Sequence, residues 1–110
     1  MIQIGTTNET TWTVAREHLA SAFGSGLVDV LATPVLVGFC EECARTMVDG
    51  HLPPGQKTVG TSIQLDHLAA TPLGMRVTLT ARGKRRTQGT TLHPSFRSVG
   101  ACLRRGEASF

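Results

Sequence analysis

The feature that most constrains this chain is a run marked at both ends as a helix. In TPVLVGFCEECARTMVDG, Thr33 stands where an N-cap is favoured, Pro34 takes the first helical position, and Gly50 follows Asp49 just past the end. Leu36, Cys40, Cys43 and Met47 recur at helical spacing and are widened by Phe39, whereas Glu42, Arg45 and Asp49 fall on the opposite side. The first half is apolar nearly all round, the pattern of a central helix wrapped by other structure.

The flanking sequence reads as strands. After the Pro53-Pro54-Gly55 loop, Thr58 to His67 alternates, with Val59, Thr61, Ile63, Leu65 and His67 on one face and Thr58, Gly60, Ser62, Gln64 and Asp66 on the other. The odd-numbered face is the apolar one, so it is expected to pack on the helix with His67 at the margin of the core. AATPLG (69–74) is a turn, and Met75 to Ala81 a second strand with Met75, Val77 and Leu79 on one face. Towards the N-terminus, Thr10 to Val14 carries a strand signal and Ala15 to Phe23 a short helix ended by Gly24. Thr90 to Val99 and Ala101 to Phe110 supply two further strands, although Pro94 and scattered arginines blur their alternation. A long helix followed by strands joined through turns gives an α+β fold, the helix lying across an antiparallel sheet.

A chain of 110 residues with 40% apolar content builds one hydrophobic core, so a single domain spanning 1–110 is expected. At this size a partner subunit adds stability that a monomer lacks. The longest apolar region, Leu27 to Cys40, is interrupted by Asp29 and Pro34 and falls short of the ~20 residues that span a bilayer, so no membrane is expected. Three cysteines, Cys40, Cys43 and Cys102, form an odd set without an export signal, which fits a reducing cytoplasm. Cys40 and Cys43 sit mid-helix on the apolar stripe and read as core thiols. His18, His51 and His93 have no ligand spacing, so no metal site is proposed.

The net charge of +3 is uneven: Arg82, Lys84, Arg85, Arg86, Arg97, Arg104 and Arg105 all fall in the last third, with only Glu107 against them. Such asymmetry marks either a solvated edge or an anion-binding tail. The sparse aromatics give no base-stacking surface, and a nucleic-acid partner is not expected.

On pattern alone the chemistry-bearing residues stay two-sided. Glu41 lies beside the apolar stripe, where partial burial favours a base, but it is also spaced to pair with Arg45. His67 is either a proton carrier or a core-edge histidine satisfied by backbone. Thr33 caps the helix or offers its hydroxyl to a substrate. Gly60 allows close backbone approach within a strand or marks a bulge. Eight helical residues carry Glu41 ~12 Å beyond Thr33, too far for direct contact.

GSGLVDVLATPVLVGFCEECA, followed by LPPGQKTVGTSIQLDHLAATPLGMRVTLTA, resembles the fluoroacetyl-CoA thioesterase-like branch of the hot-dog superfamily over roughly Phe23 to Ala81. The most specific parts are the Leu-Ala-Thr-Pro approach to the helix, a glutamate eight residues after that threonine, Thr-Val-Gly-Thr, and His-x-Ala-Ala-Thr-Pro-x-Gly-Met. The resemblance implies a hot-dog fold and hydrolysis of a small or medium acyl-CoA without metal or bound cofactor. It also implies a homodimer or dimer of dimers with sites at the interface. It assigns Thr33, Glu41 and His67 as catalytic residues and the Gly60 backbone to the thioester carbonyl. Arg82 to Phe110 departs from the family's pattern, which motivates an alternative, a hot-dog module that binds acyl-CoA without turnover.

Overall fold

The structure, a computed structural model, describes residues 5–50, 52, 54–55, 62–67, 69–86, 92–99 and 103–109. Its strands are β1 (Thr7–Thr13), β2 (Ser62–His67), β3 (Arg76–Arg86), β4 (Leu92–Val99) and β5 (Leu103–Ser109). Its helices are a 3-10 turn at Arg16–His18, α1 (Ala20–Phe23) and the long α2 (Thr33–Asp49). The strands form one antiparallel sheet in the order β1-β3-β4-β5-β2. The arginine-rich last third of the chain therefore supplies β3 and both of the next strands.

Period-two alternation makes the sheet one-sided. Along β1, Asn8, Thr10 and Trp12 are half-buried while Thr7, Glu9, Thr11 and Thr13 are exposed. The inner face of β3 presents Val77, Leu79 and Ala81, all buried, and Phe96 joins them from β4. Helix α2 lies across this face and buries Leu36, Phe39, Cys40, Cys43, Ala44, Met47 and Val48, the stripe expected from its spacing. Trp12 stacks on Phe39 at 4.3 Å between ring centres, and His18 meets Phe39 edge-on at 5.0 Å. A polar clamp fixes the helix as well: Asn8 Nδ2 donates to the Cys43 carbonyl at 2.9 Å and to Thr46 Oγ1 at 2.8 Å.

Four local expectations change. The helix over 15–23 is split, because Leu19 is extended and bridges Leu31, which interrupts helical pairing between the 3-10 turn and α1. Gly24 still ends α1, at a positive φ of 94° where a side chain would be strained. The first strand starts earlier and ends at Thr13, and Val14 is a buried core residue beyond it. Met75 precedes β3 and is exposed, since its carbonyl and amide close the turns to Val14 and Pro72. Helix α2 is also less enclosed than its apolar first half suggests: Pro34 and Gly38 are exposed, and Val35 and Val37 only half-buried.

Candidate active site

Thr33 is the first residue of α2 and not its cap. Ala32 holds the N-cap position with no side-chain hydrogen bond, because the helix begins one residue earlier than the Thr-Pro pair suggests. The threonine hydroxyl turns instead to His67, with Oγ1 and Nδ1 3.0 Å apart. His67 ends β2 just after the pairing with β5 slips, from Leu65 opposite Gly106 to His67 opposite Leu103. Such irregularities re-aim a side chain at the rim of a sheet. The parity expected for β2 holds, with Ile63, Leu65 and His67 turned inward and Ser62, Gln64 and Asp66 exposed.

The imidazole is held mostly neutral. Burial lowers its pKa from the ordinary 6.5, with a backbone hydrogen bond at Ala69 opposing the shift in part. Its Nε2 atom is buried and has no hydrogen-bond partner among the described residues. A buried, uncommitted ring nitrogen is a group with donor or acceptor capacity left over for a reacting molecule.

Beside this pair lies an open cleft of about 330 Å³, lined by Thr33 and His67 and walled by Val28, Val30, Leu31, Ala32, Ala69 and Ala70. Among the described residues lining it there is no carboxylate, ammonium or guanidinium. At the start of α2, Pro34 has no N–H, and the Val35 and Leu36 amides both donate to the Ala32 carbonyl at 3.0 Å. Of the amides in this first turn, this leaves that of Thr33 without a described partner.

Glu41 does not join Thr33 and His67 within one chain. It is half-buried, it does not line the cleft, and it makes no ion pair with a described residue. The competing pair with Arg45 is not formed either, because Arg45 reaches on to Asp49 at 2.9 Å. Seven residues after Pro34, Glu41 lies only ~20° away around the helix and ~10 Å along it. It therefore continues the exposed strip that starts at the cleft. Gly60 and Thr58 to Thr61 lie outside the described residues, as do Cys102 and His51.

The remaining side chains singled out by the sequence are structural. Cys40 and Cys43 are buried, and burial pushes the Cys40 thiol up to about 12, far from a reactive thiolate. His18 Nδ1 accepts the Ala15 amide at 2.9 Å. No helix among the described residues is long and apolar enough to cross a membrane.

A sequence profile of the fluoroacetyl-CoA-specific thioesterases matches residues 14–99, more than half of the chain. The chain belongs to the fluoroacetyl-CoA-specific thioesterase family. Within it, a relative from Streptantibioticus cattleyicolor, a fluoroacetyl-CoA thioesterase, is 37% identical over 79 residues, which are 66% of this chain and 56% of the relative. The chain thus spans little more than half the length of that curated relative. A solved structure of the fluoroacetyl-CoA thioesterase superposes with a TM-score of 0.86 at 23% identity, covering 99% of this chain and 84% of the other. A thioesterase-superfamily protein of Thermus thermophilus gives 0.85 at 23%, covering 99% and 82%. A hot-dog-like protein of Thermanaerovibrio acidaminovorans gives 0.85 at 22%, covering 98% and 81%. The family's fold is the hot-dog fold, and the α+β architecture expected from the sequence agrees with it.

Proposed function

We propose that this chain hydrolyses acyl-CoA thioesters to the free acid and CoA. The observation that carries the reading is the Thr33–His67 pair on a cleft lined by no carboxylate, ammonium or guanidinium among the described residues, in a chain of this family. One solved structure of the fluoroacetyl-CoA-specific thioesterase, matched at a TM-score of 0.85 and 24% identity, is a complex with fluoroacetate and CoA. By likeness to it, acyl-CoA is the substrate class proposed here.

Thioester hydrolysis needs an attacking oxygen, support for the oxyanion and a proton for the departing thiolate. Glu41 supplies the carboxylate that attacks or activates water. His67 orients the reacting group and carries the proton, through the Nε2 atom that has no described partner. Thr33 supports both by hydrogen bonding, with its own amide and that of Gly60 directed to the carbonyl oxygen. Glu41 is absent from the residues that line the cleft and lies ~10 Å along α2 from Pro34, which supports a homodimer in which the carboxylate of one copy completes the cleft of another. Strand β2 lies at the sheet edge, its second side unpaired among the described strands, and Phe23 and Leu27 are exposed apolar residues flanking segments that line the cleft. Both features suit such an assembly.

Purified protein is expected to release CoA from a panel of acyl-CoA thioesters. Glu41→Ala and His67→Ala are each expected to lower that rate by at least ~10²-fold, the scale of a lost proton-transfer group. Wild-type rates in both variants would refute the residue roles. Calorimetric binding of acyl-CoA with no release of CoA would establish the non-catalytic module instead.

A further inference from the structure

Resting on the thioesterase reading above, we propose that the cleft selects uncharged aliphatic acyl groups longer than acetyl, with Ala70 and Val28 setting how far the chain extends. Two segments run side by side to make its walls. Val30 bridges Pro72, and the Leu31 amide donates to the Thr71 carbonyl at 2.7 Å. The same antiparallel register carries Ala70 alongside Ala32, the residue before Thr33. Ala70 therefore stands at the reacting end, and Val28, on the far side of Val30, at the distal end.

The dimensions favour a longer chain. At ~30 Å³ for each water-sized unit, a two-carbon acyl group fills roughly 60 Å³, a minor share of the 330 Å³ cleft. Every further methylene that leaves water for these walls favours the bound transition state by about fourfold. The walls at Ala32, Ala69 and Ala70 project only methyl groups, so the space beside the reacting atoms is not blocked.

The chemistry disfavours a charged chain. A carboxylated acyl group would place its anion among mostly aliphatic side chains, with the Ser25 and Thr33 hydroxyls as the only non-titrating polar side-chain groups lining the cleft among the described residues. The imidazole of His67 is a weak counter-charge, because burial lowers its pKa and disfavours the charged form.

The test is hydrolysis of acetyl-, fluoroacetyl-, butyryl-, hexanoyl- and succinyl-CoA by the full chain, with kcat/KM for each. The expected result is a rise of about fourfold per methylene from acetyl to hexanoyl, and butyryl exceeding the equally long succinyl by at least about tenfold. Ala70→Leu should lower the hexanoyl-to-acetyl ratio at least about tenfold by filling the reacting end. Val28→Lys should raise the succinyl-to-butyryl ratio by placing a cation at the distal end. Both variants are to be checked for wild-type melting and solution mass, so that misfolding is not taken for selectivity. A rate that falls from acetyl upward, fluoroacetyl as the best substrate, or succinyl equal to butyryl would overturn the assignment. Unchanged ratios in both folded variants would overturn the roles of Ala70 and Val28. Silence toward the whole panel is a separate outcome, which overturns the thioesterase reading and this one with it.

Discussion

Thr33 separates two jobs that a helix-start threonine usually combines. Loss of a capping hydroxyl costs about 1 kcal/mol, but the Thr33 hydroxyl is turned to His67 and caps nothing. Thr33→Ala is therefore expected to lower turnover while changing urea-unfolding stability by less than ~0.5 kcal/mol; a full capping loss would contradict the observed contact. His67 carries a pH dependence of definite sign. The unfolded chain, with its imidazole at the ordinary 6.5, takes up a proton before the folded one does. Stability is thus complete above pH 6.5 and declines as pH falls through the lowered folded value, and the acid limb of kcat/KM should lie below 6.5 as well. Chemical denaturation from pH 8 to pH 5 checks this, and His67→Asn should flatten the slope. The site was partly legible in the sequence: strand parity placed His67 at the core margin, and helix geometry set Glu41 apart from Thr33. The hydroxyl-to-imidazole contact was not, because it joins side chains 34 residues apart on α2 and β2, and only the packing of those two elements brings them together.

At the scale of elements, α2 was the most legible part because stripe, proline and terminal glycine agreed. The region 15–23 was the least, since helix-forming residues there lose to a tertiary demand, the bridge from Leu19 to Leu31. Val14 lies just past β1 yet stays buried, its amide donating to the Met75 carbonyl and its carbonyl accepting from the Gly74 amide. Packing of α2 on β1 rests on two different contacts, and they should fail by different amounts. Phe39→Ala removes the ring stacked on Trp12 and is expected to cost about 3–5 kcal/mol. Asn8→Ala removes the amide clamp on Cys43 and Thr46 and is expected to cost about 1–2 kcal/mol. Equilibrium unfolding of the two variants, at unchanged m-value, checks both.

For the molecule as a whole, alternation along the strands was enough to forecast a one-sided sheet, and the late strands formed despite Pro94 and the crowded arginines. What alternation cannot convey is how completely the helix is covered: Pro34, Val37 and Gly38 remain open on one side of α2 in a single chain. Sedimentation or light scattering is accordingly expected to report about twice the 11.7 kDa chain mass, or a multiple of that pair; a monomer with full turnover would defeat the shared site. The rim strand β2 terminates at His67 itself. In the proposed dimer, a copy aligned along that rim would arrive next to the imidazole, which would tie recruitment of a neighbour and readiness for turnover to a single equilibrium. Specific activity followed down a dilution series should then bend at the concentration where the particles come apart.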